Sequence, residues 1–328
     1  MIRASAPGRC GLVGNPTDGY GGTVISSSLA ERAVVEITPA SEIVVDVCGH
    51  RAEISGPADL ALTNSFTDVA KAVFTFLPDS VREWKFHLTA RTTVPICAGL
   101  AGSTTMLIAI LGATLRMLGV RLSPYEIAEA ARLIEFNTMN CVCGFQDQYM
   151  VVFGGLNYLD FRDKGPESKL APVYATVENL EPVLGDLPLL LANTGVQRHS
   201  GRVHHAFRER WLAGDPEVVQ GYRRAARLAR DAKLALLSGD WPAAGELMNE
   251  NHAIQRGLGG SGEMNERLID EALKAGAWGA KLAGAGKGGT IIAAHEDLEY
   301  LGRRLQEAGA TRILKVRPSE GLIVEGQI

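Results

Sequence analysis

The segment that most restricts the fold is 95–118, PICAGLAGSTTMLIAILGATLRML. A glycine turn at 98–102 opens into a long run, 103–118, whose apolar residues recur at helical spacing. A helix this apolar is buried, so the rest of the chain must supply layers that cover it. The preceding residues, 85–93, alternate as a strand does. The segment is therefore a strand, a glycine turn and a core helix. The first amides of such a helix, with its dipole, form an anion site. A tight connection with Ser103 as N-cap would account for the same glycines, and both readings stand on this segment alone.

Around it, 2–6, 23–37 and 43–47 read as strands, 68–77 as a short helix and 156–161 as a strand. Ser123-Pro124-Tyr125-Glu126 is a capping box with Pro at the first helical position, starting a helix that runs to about 136. A further helix spans 146–153. Residues 187–192 form a short apolar strand. From 201 to 274 the pattern is helical, with breaks near 214–216, 239–240 and 257–262. Strands at 277–282, 290–294 and 312–317, with a helix at 296–308, complete the chain. No internal repeat is evident. The turn-rich stretch near 180–187 gives an N-terminal domain over 1–185 and a C-terminal domain over 186–328.

A length of 328 residues, 46% hydrophobic and 21% charged, suits a globular chain of two domains. The net charge of −4 and the lack of a Lys/Arg block give no footprint for nucleic acid or a membrane surface. The first residues lack a leader's apolar core and no 18-residue apolar run exists, so a cytoplasmic protein is expected. The five cysteines are scattered and read as buried free thiols; Cys141-x-Cys143 has no partner pair at zinc-like spacing.

Three more features carry possible chemistry. In 281–290, KLAGAGKGGT, the spacing mimics two phosphate motifs. A P-loop needs Gly where Lys281 stands and Ser or Thr where Gly288 stands, and a dinucleotide turn must open a helix, whereas TIIAAHE follows. A strand–turn–strand is the reading, with or without a ligand. Glu135 and Asp147 lie in apolar surroundings and can divide labour between a cation and a nucleophilic hydroxyl. In 6–22, APGRCGLVGNPTDGYGG, dense Gly, Pro, Asn and Asp read as a long structured loop with Arg9 and Asp18 as its charged members.

Taken in order, the motifs at 6–22, 95–105 and 284–289 resemble those of the GHMP small-molecule kinases, such as galactokinase, homoserine kinase and mevalonate kinase. The resemblance implies an α+β, two-domain fold: a ribosomal S5 domain 2-like N-terminal domain and a ferredoxin-like C-terminal domain with extra helices. It implies ATP and Mg²⁺ as cofactors and a small-molecule acceptor, in a monomer or homodimer. It assigns Asp147 as catalytic base, with Arg9 assisting, and Ser103 and Glu135 as Mg²⁺ ligands. ATP would lie against Pro95, Gly99, Leu100, Ala101, Gly102, Ser103, Thr104, Gly284, Gly286 and Lys287. Ala101-Gly102 departs from the family's Gly-Ser, and Lys287 from a small residue.

Within the family, GNPTDGY (14–20), GLAGS (99–103), QDQYMVVFGGLNYLDF (146–161) and SGRVHHAFRERWLAGD (200–215) resemble the members that phosphorylate the anomeric hydroxyl of D-glucuronic acid. Asn15, Asp18 and Tyr20 would hold the sugar. Arg198, Arg202, His204 and His205 are candidates for its carboxylate, at most two of them lining the site, and one helix face of ordinary exposed charge is the other reading; Ser200 lies among them as a further substrate contact. Asn15-Pro16 stands where galactokinases have Glu-His, which argues against galactose. Heptose kinases share the Gln-Asp-Gln context. A non-catalytic sensor on the same fold, or a decarboxylase of that fold, are the readings of other classes.

Overall fold

The computed structural model describes residues 1–78, 81, 83, 85–166, 173–180, 186–197 and 200–327, with the side chains of 200–204 outside the description. The core helix of the sequence is there as α2 (Gly102–Met117), and all but its first two residues and Arg116 are buried. It lies across an eight-stranded sheet. The path runs β12 (Ile323–Gly326), β1 (Ile2–Val13), β2 (Thr23–Pro39), β5 (Phe86–Thr92), β3 (Ile43–Val47) and β4 (His50–Ile54). One half of the long β2 pairs β5, and the other half pairs β6 (Leu156–Asp160), which carries β7 (Thr176–Asn179). Every pairing is antiparallel except β3 with β5. Helices α1 (Asp68–Phe76), α3 (Pro124–Leu133) and α4 (Gln146–Phe153) pack around α2 and close the first core.

Residues 6–22 are not one long loop. β1 continues to Val13, through Pro7, Gly8 and Gly11. Register shifts between Pro7 and Arg9 and between Gly11 and Val13 absorb these residues. The pairing with β12 covers only Ile2–Ser5, so Pro7 faces no ladder partner on that edge. The strand β12 also brings the end of the chain back to the N-terminal sheet, so the two domains are not strictly consecutive.

The second sheet is antiparallel, ordered β11 (Arg312–Lys315), β8 (Leu189–Asn193), β10 (Thr290–Ala294), β9 (Gly279–Leu282). β8 and β10 are buried on both faces, and their alternation divides two cores. Leu190, Ala192, Ile291 and Ala293 face helices α8 (Glu263–Lys274) and α9 (Leu298–Glu307). Leu189, Leu191, Ile292 and Ala294 join α6 (Pro216–Leu237), α7 (Trp241–Gly257) and, from β1 and β2, Cys10, Leu12, Val13, Ile25 and Leu29. One hydrophobic core is thus shared between the domains. Local signals set the helix starts: Ser123 and Glu126 complete the capping box, and Asp215, Asp240 and Asp297 accept first-turn amides. A further helix, α5 (Ser200–Leu212), precedes α6.

Candidate active site

Strand β1 connects the three glycine motifs. Arg9 is buried in it and donates from Nε and Nη2 to Asp147 Oδ1, at 2.7 and 2.6 Å. Its Nη1 donates to the carbonyl of Gly99 at 2.6 Å, and its backbone amide to that of Leu100 at 3.2 Å. Two residues on, the amide of Gly11 donates to Ala283 O at 2.9 Å, beside the third motif. Asp147 sits in the first turn of α4, its side chain about one-third exposed. Both guanidinium bonds fall on Oδ1, and Oδ2 has no hydrogen-bond partner among the described residues.

Glu135 lies in a π-helical turn, Ile134–Thr138, that continues α3. Such turns are frequent at functional sites. Thr104 Oγ1 donates to its Oε1 at 2.8 Å, and Gln148 Nε2 donates to Oε2. Burial pushes its carboxyl up to about 7; the Thr104 bond opposes this and the charge of Asp147 adds to it. The hydroxyl that engages Glu135 is therefore that of Thr104, whereas Ser103 is exposed one residue earlier. The sequence placed Thr104 in the phosphate loop without seeing this bond. The first helical bond of α2 runs from Thr105 N to Ala101 O, so the amides of Gly102, Ser103 and Thr104 precede the ladder. Ala101 reaches the helix through a left-handed backbone, with φ of 61°.

Asp18 and Tyr20 lie in a short 3-10 turn, Asp18–Tyr20, that walls an open cleft with Cys143, Gly144, Pro166 and Arg208. Asp18 Oδ2 accepts from the amides of Phe145 and Gln146, at 2.7 and 2.9 Å. That ties the turn to the residues just before Asp147. Gly144 is required here, because a Cβ would stand 1.8 Å from Asp18 Oδ2. Tyr20 is backed by Trp211 and Tyr222, each with ring centroids 5.0 Å away. Burial raises its phenol above the ordinary range. Asn15 is buried rather than lining the cleft. Its Oδ1 accepts from Lys281 Nζ at 2.8 Å, and its Nδ2 donates to Gly284 O at 3.4 Å.

The third motif is a hairpin tip between β9 and β10, which pair antiparallel. Gly286 packs against the carbonyl of Gly260, where a Cβ would come within 1.8 Å. Lys287 is exposed at the tip, with φ of 55°. Of the residues expected to touch the sugar or its carboxylate, Arg198 lies outside the described residues, as do the side chains of Ser200, Arg202 and His204. His205 is exposed, 3.5 Å from Glu209. Among the described residues of this helix Arg208, one turn further along α5, lines the cleft; it lies within 200–215 but is not one of the candidates read from the sequence. Lys281 was passed over too, although a lysine inside the apolar strand GAKL was a visible anomaly.

A two-domain α+β fold that gathers two glycine loops and an acid–arginine pair around one strand is that of a small-molecule kinase. The profile of the GHMP kinases N terminal domain matches residues 64–155, and that of the GHMP kinases C terminal matches 232–311. The chain belongs to the GHMP kinase family and is a phosphotransferase with an alcohol group as acceptor. It is 27% identical to Glucuronokinase 1 of Arabidopsis thaliana, covering 95% of this chain and 91% of that one. It is 29% identical to the Probable glucuronokinase 2 of the same plant, covering 85% and 80%. Its fold matches a D-glycero-D-manno-heptose 1-phosphate kinase from Bacteroides thetaiotaomicron at a TM-score of 0.75 and 22% identity, covering 99% of each chain. It matches Lactococcus lactis galactokinase, crystallised with galactose, at 0.80 and 18%, covering 98% of this chain and 95% of that one. Among the described residues no helix is long and apolar enough to cross a membrane.

Proposed function

We propose that this kinase transfers the γ-phosphoryl group of ATP to the anomeric hydroxyl of D-glucuronic acid or a closely related sugar. The observation that carries the reading is the Arg9–Asp147 pair, held against the Gly99 loop on one side and joined through Phe145 and Gln146 to the Asp18–Tyr20 cleft on the other. The two glucuronokinase relatives support the choice of sugar.

The residues suit ATP with Mg²⁺. Glu135 is a buried acid held by two neutral donors, and its ionised form is opposed by burial and by Asp147. A cation beside it relieves both. Glu135 and the Ser103 hydroxyl would hold Mg²⁺, with Thr104 orienting Glu135. The amides of 102–104 and the tip at 284–287 would hold the phosphates. When bound, the nucleotide supplies the phosphoryl group and the ion neutralises its charge.

The chain's own groups do the remainder. Arg9 fixes Asp147 through Oδ1, which leaves Oδ2 to accept the proton of the attacking hydroxyl. An anomeric hydroxyl is more acidic than an ordinary alcohol, so a modest base suffices. Asp18 and Tyr20 place the ring, and positioning with electrostatics supplies most of the rate. The test is ADP release with a panel of uronic acids, hexoses and heptose phosphates, followed by ³¹P NMR of the product. A 1-phosphate formed from D-glucuronic acid in preference to the others is the expected result; preference for a heptose phosphate would replace the sugar.

A further inference from the structure

We infer that Asn251 and Asn265 are positioning residues, one for each substrate: Asn251 holds the turn that receives the acceptor, and Asn265 holds the hairpin that closes on the phosphates. This rests on the roles given above to the Asp18–Tyr20 turn and to the tip at 284–287.

Both asparagines are fully buried, and each grips backbone with both ends of its amide. Asn251, on α7, accepts from Gly14 N through Oδ1 at 2.8 Å and donates from Nδ2 to Asn15 O at 3.3 Å. Asn265, in the first turn of α8, accepts from Gly288 N at 2.7 Å and donates to Gly288 O at 3.1 Å. A side-chain amide carries the same donor and acceptor as a peptide group, so each asparagine stands in for a neighbouring strand. Both segments need that stand-in. β1 ends at Val13, so Gly14 and Asn15 have left its ladder while still buried. Gly288 is buried in the tip between β9 and β10, with a φ of 115° that no strand has. Buried peptide groups without partners are costly, and here the partners are side chains from the helices.

Each grip is next to the part of the site it serves. Gly14 O accepts from Thr17 N at 3.2 Å, and Thr17 O accepts from Tyr20 N at 2.9 Å. The position that Asn251 gives Gly14 is thus passed to the Asp18–Tyr20 turn in two short steps. At the tip, Lys287 N donates to Gly260 O at 2.9 Å, so the connection between α7 and α8 and Asn265 hold consecutive residues. The same helix supplies an internal comparison. Asn249 makes a two-ended grip of the same kind, with Nδ2 on Trp278 O at 3.1 Å and Oδ1 on Ala280 N at 2.9 Å. It serves β9, which already has β10 as a ladder partner, and it touches neither the turn nor the tip.

The experiment measures the KM for ATP and for the acceptor in the wild type, Asn251→Leu, Asn265→Leu and Asn249→Leu, with thermal melting of each. The acceptor is whichever sugar of the panel above the wild type turns over best, so the outcome does not depend on which sugar that is. Leu resembles Asn in shape and has neither donor nor acceptor. Asn251→Leu should raise the KM for the sugar by roughly tenfold or more and leave that for ATP within about twofold; Asn265→Leu should do the opposite. Asn249→Leu should lower the Tm and move neither constant beyond about twofold. Asn251→Asp and Asn265→Asp keep the acceptor oxygen; they should shift the same constants in the same direction, and they replace the Leu variants if those do not fold. The inference is overturned if both constants move together in either variant, if neither moves, or if Asn249→Leu moves them as far. If no sugar is turned over, the acceptor reading falls and the role of Asn251 with it. The role of Asn265 is then decided by the Kd for Mg·ATP from calorimetry, which Asn265→Leu should raise by about tenfold and Asn249→Leu should not.

Discussion

Replacing Lys281 with Met should flatten the pH dependence of stability in the alkaline range. Lys281 is fully buried in β9, where Nζ donates to Asn15 Oδ1 at 2.8 Å and to Leu282 O at 2.5 Å. No carboxylate is paired with it among the described residues. Burial is the main cause that pushes its ammonium down from 10.5 to about 7; the neighbouring Arg9 acts in the same direction and Cys10 opposes. Cys10 itself is pushed up to about 12, so it stays neutral through the window of interest. The fall for Lys281 corresponds to about 5 kcal/mol favouring the neutral amine in the folded state. The sign follows from proton uptake. Between about 7 and 10.5 the unfolded chain binds the proton and the folded chain does not, so stability rises with pH across that window; below about 7 both hold it and the dependence levels off. From pH 7 to pH 9 the wild type should therefore gain about 2 kcal/mol relative to Lys281→Met. In a chain of this length that is a relative Tm change of ~3 °C. The other titrating groups are common to both proteins and cancel in the difference. Differential scanning calorimetry of both at the two pH values is the assay. Parallel Tm shifts would show that Lys281 keeps an ordinary ammonium, through water or an anion reaching it, and would refute the reasoning.

Asp147→Asn should lower kcat by two orders of magnitude or more and leave the KM for ATP within about twofold, measured by coupled ADP release; near-normal turnover removes Asp147 from the role of base. Glu135→Gln should keep the Thr104 contact but raise the Mg²⁺ concentration needed for half-maximal rate by about tenfold or more, read from a Mg²⁺ titration at saturating ATP. Gly144→Ala should displace the Asp18 carboxylate and raise the KM for the sugar with little change in that for ATP; an unchanged sugar KM would detach Asp18 from the acceptor. Lys287→Gly should stabilise the hairpin by ~0.5–1 kcal/mol, since its backbone is left-handed, and a several-fold rise in the KM for ATP would place its ammonium on phosphate.

Much of this fold is readable because its signals are local. The capping box at Ser123–Glu126, the aspartates opening α6, α7 and α9, and the apolar α2 each state their structure within a few residues. The course of β1 past Ala6 was hidden, because Pro7, Gly8 and Gly11 are turn residues by composition, and only pairing with β2 makes them a strand. The short strands β4, β7 and β12 draw their stability from partners far along the chain and leave little trace in their own residues. The Arg9–Asp147 contact spans 138 positions. No spacing rule reaches that far, and it was anticipated only through family likeness. Asn15 illustrates the reverse: its motif suggested a sugar ligand, yet both ends of its amide are engaged by Lys281 and Gly284, which places it at the seam between domains.

That seam has a consequence for how the molecule comes apart. The core made by Cys10, Leu12 and Ile25 with Leu189, Leu191 and Ile292 belongs to neither half alone. Melting either half would expose the apolar surface of the other, so partial unfolding is penalised from both sides. Heat should dissolve the whole chain in one cooperative step, with a van't Hoff enthalpy close to the calorimetric one. Activity and secondary structure should vanish together on heating.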